Sequence, residues 1–117
     1  MTAAIDVRNL TKRYETVTAL AGISMEVQPG EIMGFLGPNG AGKTTTLRIL
    51  TGLIAPTEGS VAIDGLDVTH HSLEVRRRLG YLPEHVAPYP ELRVQEYLMY
   101  RARIKGVPSR ARAQRVA

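Results

Sequence analysis

The chain has 117 residues, 44% of them hydrophobic and 22% charged, with a formal net charge of +4. That is one domain or part of one, with enough apolar content for a real core. No apolar run approaches the roughly 20 residues needed to cross a bilayer; the start, MTAAIDVRNL, has no basic region leading into an apolar stretch, so a secretory signal is not expected; and the lack of cysteine excludes disulfides and thiolate metal sites.

The positive charge is unevenly spread. Residues 1–100 hold 9 Lys/Arg against 11 Asp/Glu, whereas residues 101–117 hold Arg101, Arg103, Lys105, Arg110, Arg112 and Arg115 with no acid. A short basic end of this kind reads as a solvated helix face, and nucleic acid is not an expected partner.

In chain order, Ile5–Leu10 alternates apolar and polar residues, as a half-buried strand does. Ala19–Val27 alternates again and runs into the turn Gln28-Pro29-Gly30. Two such strands predict a small antiparallel sheet with one wet face. Glu31–Leu36 is largely apolar and reads as a strand buried on both faces. Lys43 to Leu53 then carries apolar residues at 47, 50, 53 and 54, which predicts a helix with those positions inward.

Between them lies Gly37-Pro38-Asn39-Gly40-Ala41-Gly42-Lys43-Thr44, the pattern G-x-x-x-x-G-K-T of a Walker A phosphate loop. Gly37, Gly40 and Gly42 lack a Cβ, so the chain can wrap tightly and aim N–H groups at an anion. Lys43 would bring a positive charge to the β- and γ-phosphates, and Thr44 a hydroxyl to Mg²⁺. Strand, glycine loop and helix follow in the order the motif needs, with the helix N-terminus facing the phosphates.

Ala55–Gly59 is a turn cluster, Ser60–Ile63 a short strand, and Asp64-Gly65 a hairpin turn into Leu66–Val68. Ser72 is expected to cap a helix reaching Leu79, with Leu73, Arg76 and Arg77 close together. Gly80–Leu82 reads as a brief strand stopped by Pro83, with a loop over 83–92 marked by Pro88 and Pro90. A helix from about Arg93 to Lys105 should turn Val94, Tyr97, Leu98 and Ile104 inward and end at Gly106 and Pro108. Ser109 is expected to cap a last helix. His70, His71 and His85 are too scattered for a metal site. No run of four apolar residues closing on an acid follows the loop, so the Walker B element that holds Mg²⁺ and orients the attacking water is missing.

Taken together, LTKRYETVTALAGISMEVQPGEIMGFLGPNGAGKTTTLRILTGLIAPTEGSVAIDGLDV, GYLPEH and YPELRVQEYLMYRARIKGV resemble the N-terminal part of an ABC transporter ATP-binding subunit. The wording GPNGAGKTTT with GYLPE is most similar to ABC-2-type exporters. The resemblance implies an α/β fold: a P-loop NTPase core with a partial parallel sheet and flanking helices, an N-terminal antiparallel β subdomain and the start of a helical subdomain. On that pattern residues 1–117 are the N-terminal part of one ATP-binding domain, about 1–82 core and antiparallel parts, about 83–117 the Q-loop and the start of the helical part. The signature, D-loop and switch histidine are absent as well as Walker B, so a truncated domain is expected, binding ATP without completing hydrolysis.

Position by position, the resemblance implies that Tyr14, 23 residues before Gly37, stacks on adenine; a plain strand-end tyrosine is the alternative. Gly37, Pro38, Asn39, Gly40, Ala41, Gly42, Lys43, Thr44 and Thr45 would surround the triphosphate. Glu84, 41 residues after Lys43, stands where the family commonly has glutamine; it would act with Lys43 in catalysis and with Thr44 on Mg²⁺, or else is an exposed loop acid. The cofactors implied are ATP and Mg²⁺. The partners implied are a separate membrane-spanning permease subunit and a second ATP-binding subunit, head to tail, and the location is cytoplasmic, peripheral on the inner face of the cell membrane. A soluble ABC-type ATPase acting on nucleic acid or ribosomes, or a non-catalytic nucleotide-binding fragment, are the alternatives.

Overall fold

A computed structural model describes residues 2–85 and 89–117. The chain divides after Gly80 into two compact units. Pro88, expected to mark a loop, lies outside the described residues.

The first unit is built on a four-stranded sheet in the order β2-β1-β3-β4, with β1 at Ile5–Tyr14, β2 at Val17–Val27, β3 at Glu58–Ile63 and β4 at Leu66–Asp67. Every pairing is antiparallel. The alternation in β1 breaks at a bulge between Val7 and Leu10, where Asn9 takes a positive φ of 49°. The bulge keeps Val7 and Leu10 both buried, and the Asn9 N–H, out of the ladder, donates to Ser24 Oγ at 2.9 Å. Asp64 and Gly65 both have positive φ, as a type I′ hairpin turn requires, and they set Ile63 opposite Leu66.

One face of the sheet is covered by helices. Helix α1 (Lys43–Leu50) lays Ile49 and Leu50 against Val7, Leu10, Leu20, Val61 and Ile63, and α2 (Ser72–Arg78) adds Val75. Of the positions that spacing turned inward, Leu50 is buried and Ile54 packs against the core, but two others are replaced. Thr46, Ile49 and Leu50 are buried, while Leu47 and Leu53 are exposed. A polar residue is tolerated inside because Thr46 Oγ1 donates to the Gly42 carbonyl at 2.8 Å, leaving no unpaired group. In α2 the cap is His71, not Ser72. The Asp67 carboxylate accepts from the Thr69 and His70 N–H groups and shapes the entry.

Two expected strands are not formed. Glu31–Leu36 has no strand pairing, and its apolar side chains face outward, Ile32 being 99% and Leu36 94% exposed. A strand exists by pairing, and among the described residues none offers this segment a ladder; the partial parallel sheet has no pair of strands here. Gly80–Leu82 is unpaired for the same reason.

The second unit is a helical hairpin of α3 (Val94–Ile104) and α4 (Ser109–Val116). The cap of α4 is Pro108, not Ser109. Glu96 accepts a hydrogen bond from the Arg93 N–H at 3.0 Å, fastening the start of α3. Gly106 ends it, with the Val107 N–H reaching back to the Ala102 carbonyl. Neither helix has a fully buried residue: of the predicted inner face Tyr97 is half-buried, and Val94, Leu98 and Ile104 are exposed. Tyr89 packs edge-on to Tyr100 with ring centres 5.9 Å apart, and Tyr97 lies 6.4 Å from Tyr89.

Candidate functional site

The loop predicted from its glycines takes the shape those glycines permit. Gly40 and Gly42 both have positive φ, 84° and 95°. Space around the two differs. A Cβ on Gly40 would meet nothing within 4 Å, whereas one on Gly42 would stand 2.5 Å from Leu20 Cδ2 and 2.8 Å from the Ala19 carbonyl oxygen. Only glycine lets the loop pass this close to β2 while turning left-handed. Within the loop the Ala41 N–H donates to the Pro38 carbonyl at 3.2 Å, and the Lys43 ammonium donates to the Gly37 carbonyl, joining its two ends.

Behind the loop α1 begins at once. Its cap, Gly42, has no side chain to offer, no side chain caps the first turn, and that turn holds no acidic residue. The Thr46 N–H is taken by the Gly42 carbonyl at 2.9 Å, but the N–H groups before it have no partner within the helix. An uncapped, acid-free helix start beside a lysine suits an anionic ligand. Thr44 is exposed at this tip and Thr45 half-buried. The donor set thus fits a polyphosphate. For a metal the chain supplies less: Thr44 offers one hydroxyl, and among the described residues no three His, Asp or Glu side chains gather to hold an ion.

Tyr14 ends β1, opposite Val17 and 47% exposed. Its ring lies under the Lys12 ammonium, 5.1 Å from ring centre to Nζ. Lys12 pairs with Leu20, the residue that lies against Gly42. Tyr14 is two residues further along the strand, about 7 Å at ordinary strand rise. The tyrosine and the loop therefore share one end of the β1–β2 pair. Glu84 belongs to the other unit, exposed in a bend.

Reading the sequence alone passed over four participants here: Leu20 and Ala19 behind Gly42, the inward hydroxyl of Thr46, and Lys12. The last carried a signal, since residues two apart on a strand share a face.

Comparison with known proteins gives one answer. The profile of the ABC transporter family matches residues 20–117. The Nod factor export ATP-binding protein I of Burkholderia pseudomallei is 41% identical over 109 residues, covering 93% of this chain and 36% of that protein. A solved ATP-binding subunit of an ABC transporter superposes with a TM-score of 0.85 at 31% identity, over 97% of this chain and 47% of the other. A dimeric ATP-binding cassette in a post-hydrolysis state, bound to ADP and Pi, superposes with a TM-score of 0.80 at 27% identity, over 96% of this chain and 53% of that one. The chain spans about a third of the length of the curated relatives it matches.

Proposed function

The chain belongs to the ABC transporter family, and from that premise we propose that it forms the nucleotide-gripping front of an exporter's ATP-binding subunit. The observation that carries this is the start of α1, uncapped and free of acid behind a loop whose Gly42 has no room for a side chain. Residues Gly37 to Thr45 would surround the triphosphate and hold it by the N–H groups left free there, Pro38 having none and that of Ala41 being given to the Pro38 carbonyl, with the Lys43 ammonium moving from the Gly37 carbonyl to a phosphate oxygen. Tyr14 would stack on the base.

When bound, Mg²⁺ neutralises phosphate charge. On the family pattern the Thr44 hydroxyl and the Glu84 carboxylate would hold it, and Lys43 and Glu84 would act in catalysis. Residues 1–82 would be the core and antiparallel parts and 83–117 the Q-loop and start of the helical part. The similarity to a Nod factor export ATP-binding protein favours export over a role on nucleic acid or ribosomes. The subunit would work as a head-to-tail dimer on a separate membrane-spanning partner, at the inner face of the cell membrane. By itself this stretch of 117 residues would bind ATP and leave it intact, since its sequence contains no Walker B carboxylate.

The test is Lys43→Ala in the full-length protein, read by calorimetry with Mg-ATP and by phosphate release. Removing a direct charge contact should weaken ATP binding by about 10- to 100-fold, the range of charge-assisted hydrogen bonds, and turnover should fall to background. Unchanged affinity and turnover would take the loop out of the mechanism.

A further inference from the structure

Next to the tyrosine assigned to the base lies a cation that the phosphate motif does not use. The Lys12 ammonium is 5.1 Å from the centre of the Tyr14 ring and at the same time donates to the Ala55 carbonyl at 2.8 Å. Ala55 follows α1 by five residues, in the segment that leaves the helix. That segment is fastened to β1 on both sides of Lys12: the Thr57 N–H donates to the Thr11 carbonyl at 2.8 Å, and the Arg13 N–H to Thr57 Oγ1 at 2.9 Å. A free lysine is a hydrated charge on a flexible stem. This one is anchored at its tip, so holding it over a ring costs little further entropy.

We propose that Lys12 is a positioning residue for the nucleotide base, holding the Tyr14 ring by one face so that the other is presented for stacking. The inference rests on the reading of Tyr14 as the base platform. Two effects act together. The ammonium restricts the ring's rocking, so less freedom remains to be lost when a base stacks. It also draws π-electron density towards itself, which lessens the repulsion that a purine's π cloud meets on the opposite face. Through Ala55 the platform is tied to the same segment that leaves the phosphate helix, so base and phosphate ends are held by one piece of chain.

The experiment uses the full-length protein and two probes, Mg-ATP and inorganic tripolyphosphate, the second lacking a base. Lys12→Met keeps the length of the stem and removes the charge. It should weaken ATP binding about 3- to 5-fold, as expected for an exposed cation over a ring, with tripolyphosphate binding unchanged. Lys12→Arg should restore ATP binding, and in a Tyr14→Ala background Lys12→Met should change nothing more. Loss of ATP and tripolyphosphate binding by the same factor would make Lys12 a general structural support and overturn the proposal. So would an effect of Lys12→Met that persists without Tyr14. If Tyr14→Ala weakens ATP binding and Lys12→Met does not, the lysine has no such role and the platform stands. If neither variant matters, the platform reading falls and takes this inference with it.

Discussion

The phosphate end and the base end of the candidate site are held by different means. Around the loop the constraint is backbone: two positive φ angles, a glycine with β2 pressed against it, and a helix start with no cap. Around Tyr14 it is side chains: a lysine over the ring, a hydroxyl from Thr57, and an exposed Arg13–Glu58 ion pair at 3.2 Å. Backbone constraints of the first kind fail abruptly when broken, because a Cβ either fits or does not. Side-chain contacts of the second kind are each worth little and can be removed one at a time. Variants at the two ends should therefore differ in the form of their effect as well as its size.

Gly42→Ala should produce the largest effect. It adds the strain of a left-handed alanine to a clash with Leu20 and the Ala19 carbonyl, together roughly 2–4 kcal/mol, and ATP binding should be lost with it. Gly40→Ala is the control, with similar φ and nothing within 4 Å of its Cβ; it should cost about 1–2 kcal/mol, the strain alone. Thermal melts and ATP titrations of the two variants measure the difference. Equal destabilisation would show that the contact with β2 contributes nothing.

The same contrast explains what the sequence could reveal. The loop and the Asp64-Gly65 turn were legible because their conformations are ones few residues besides glycine adopt readily, so the letters report the backbone directly. Glu31–Leu36 was misread as a strand because its apolar letters report a preference for burial and pairing that other chain must satisfy. The inner face of α1 was legible only in part for a related reason: Thr46 goes inside by bonding to the Gly42 carbonyl, which hydrophobic spacing cannot register. Lys12 was missed because its role depends on where residue 55 comes to lie, 43 positions away. Local backbone rules are written in the sequence; contacts between distant side chains are not.

At the base end, Tyr14→Ala should be milder than any lesion in the loop. Losing one aromatic face against a base corresponds to about a 10-fold loss of ATP affinity, within the range for base stacking. KM for ATP should rise by a similar factor with little change in kcat, and tripolyphosphate binding should not move. The melting temperature should stay close to the parent's, because the ring is half exposed and outside the core. An unaltered KM would leave Tyr14 as an ordinary strand-end residue and dissolve the distinction between the two ends.

The smallest effect belongs to the Arg13–Glu58 pair, which joins the end of β1 to the start of β3 one residue before Tyr14. A hydrogen bond from Arg13, and then its charge, hold the Glu58 carboxyl below the ordinary glutamate value of 4.5. A carboxylate whose folded pKa is lowered stabilises the fold fully above its unfolded value, and the contribution disappears as pH falls through the folded one. Both partners are exposed, so solvent screens the pair and Glu58→Gln should lower the melting temperature only slightly at neutral pH. That small gap between variant and parent should stay constant down to about pH 5 and close as the pH falls through the lowered folded value. It should also shrink in high salt, since an exposed pair is screened within about 3 Å at 1 M ionic strength. A gap that persisted in acid would mean that Glu58 acts by packing and not by charge. The base end would then be fixed by shape, as the phosphate end is.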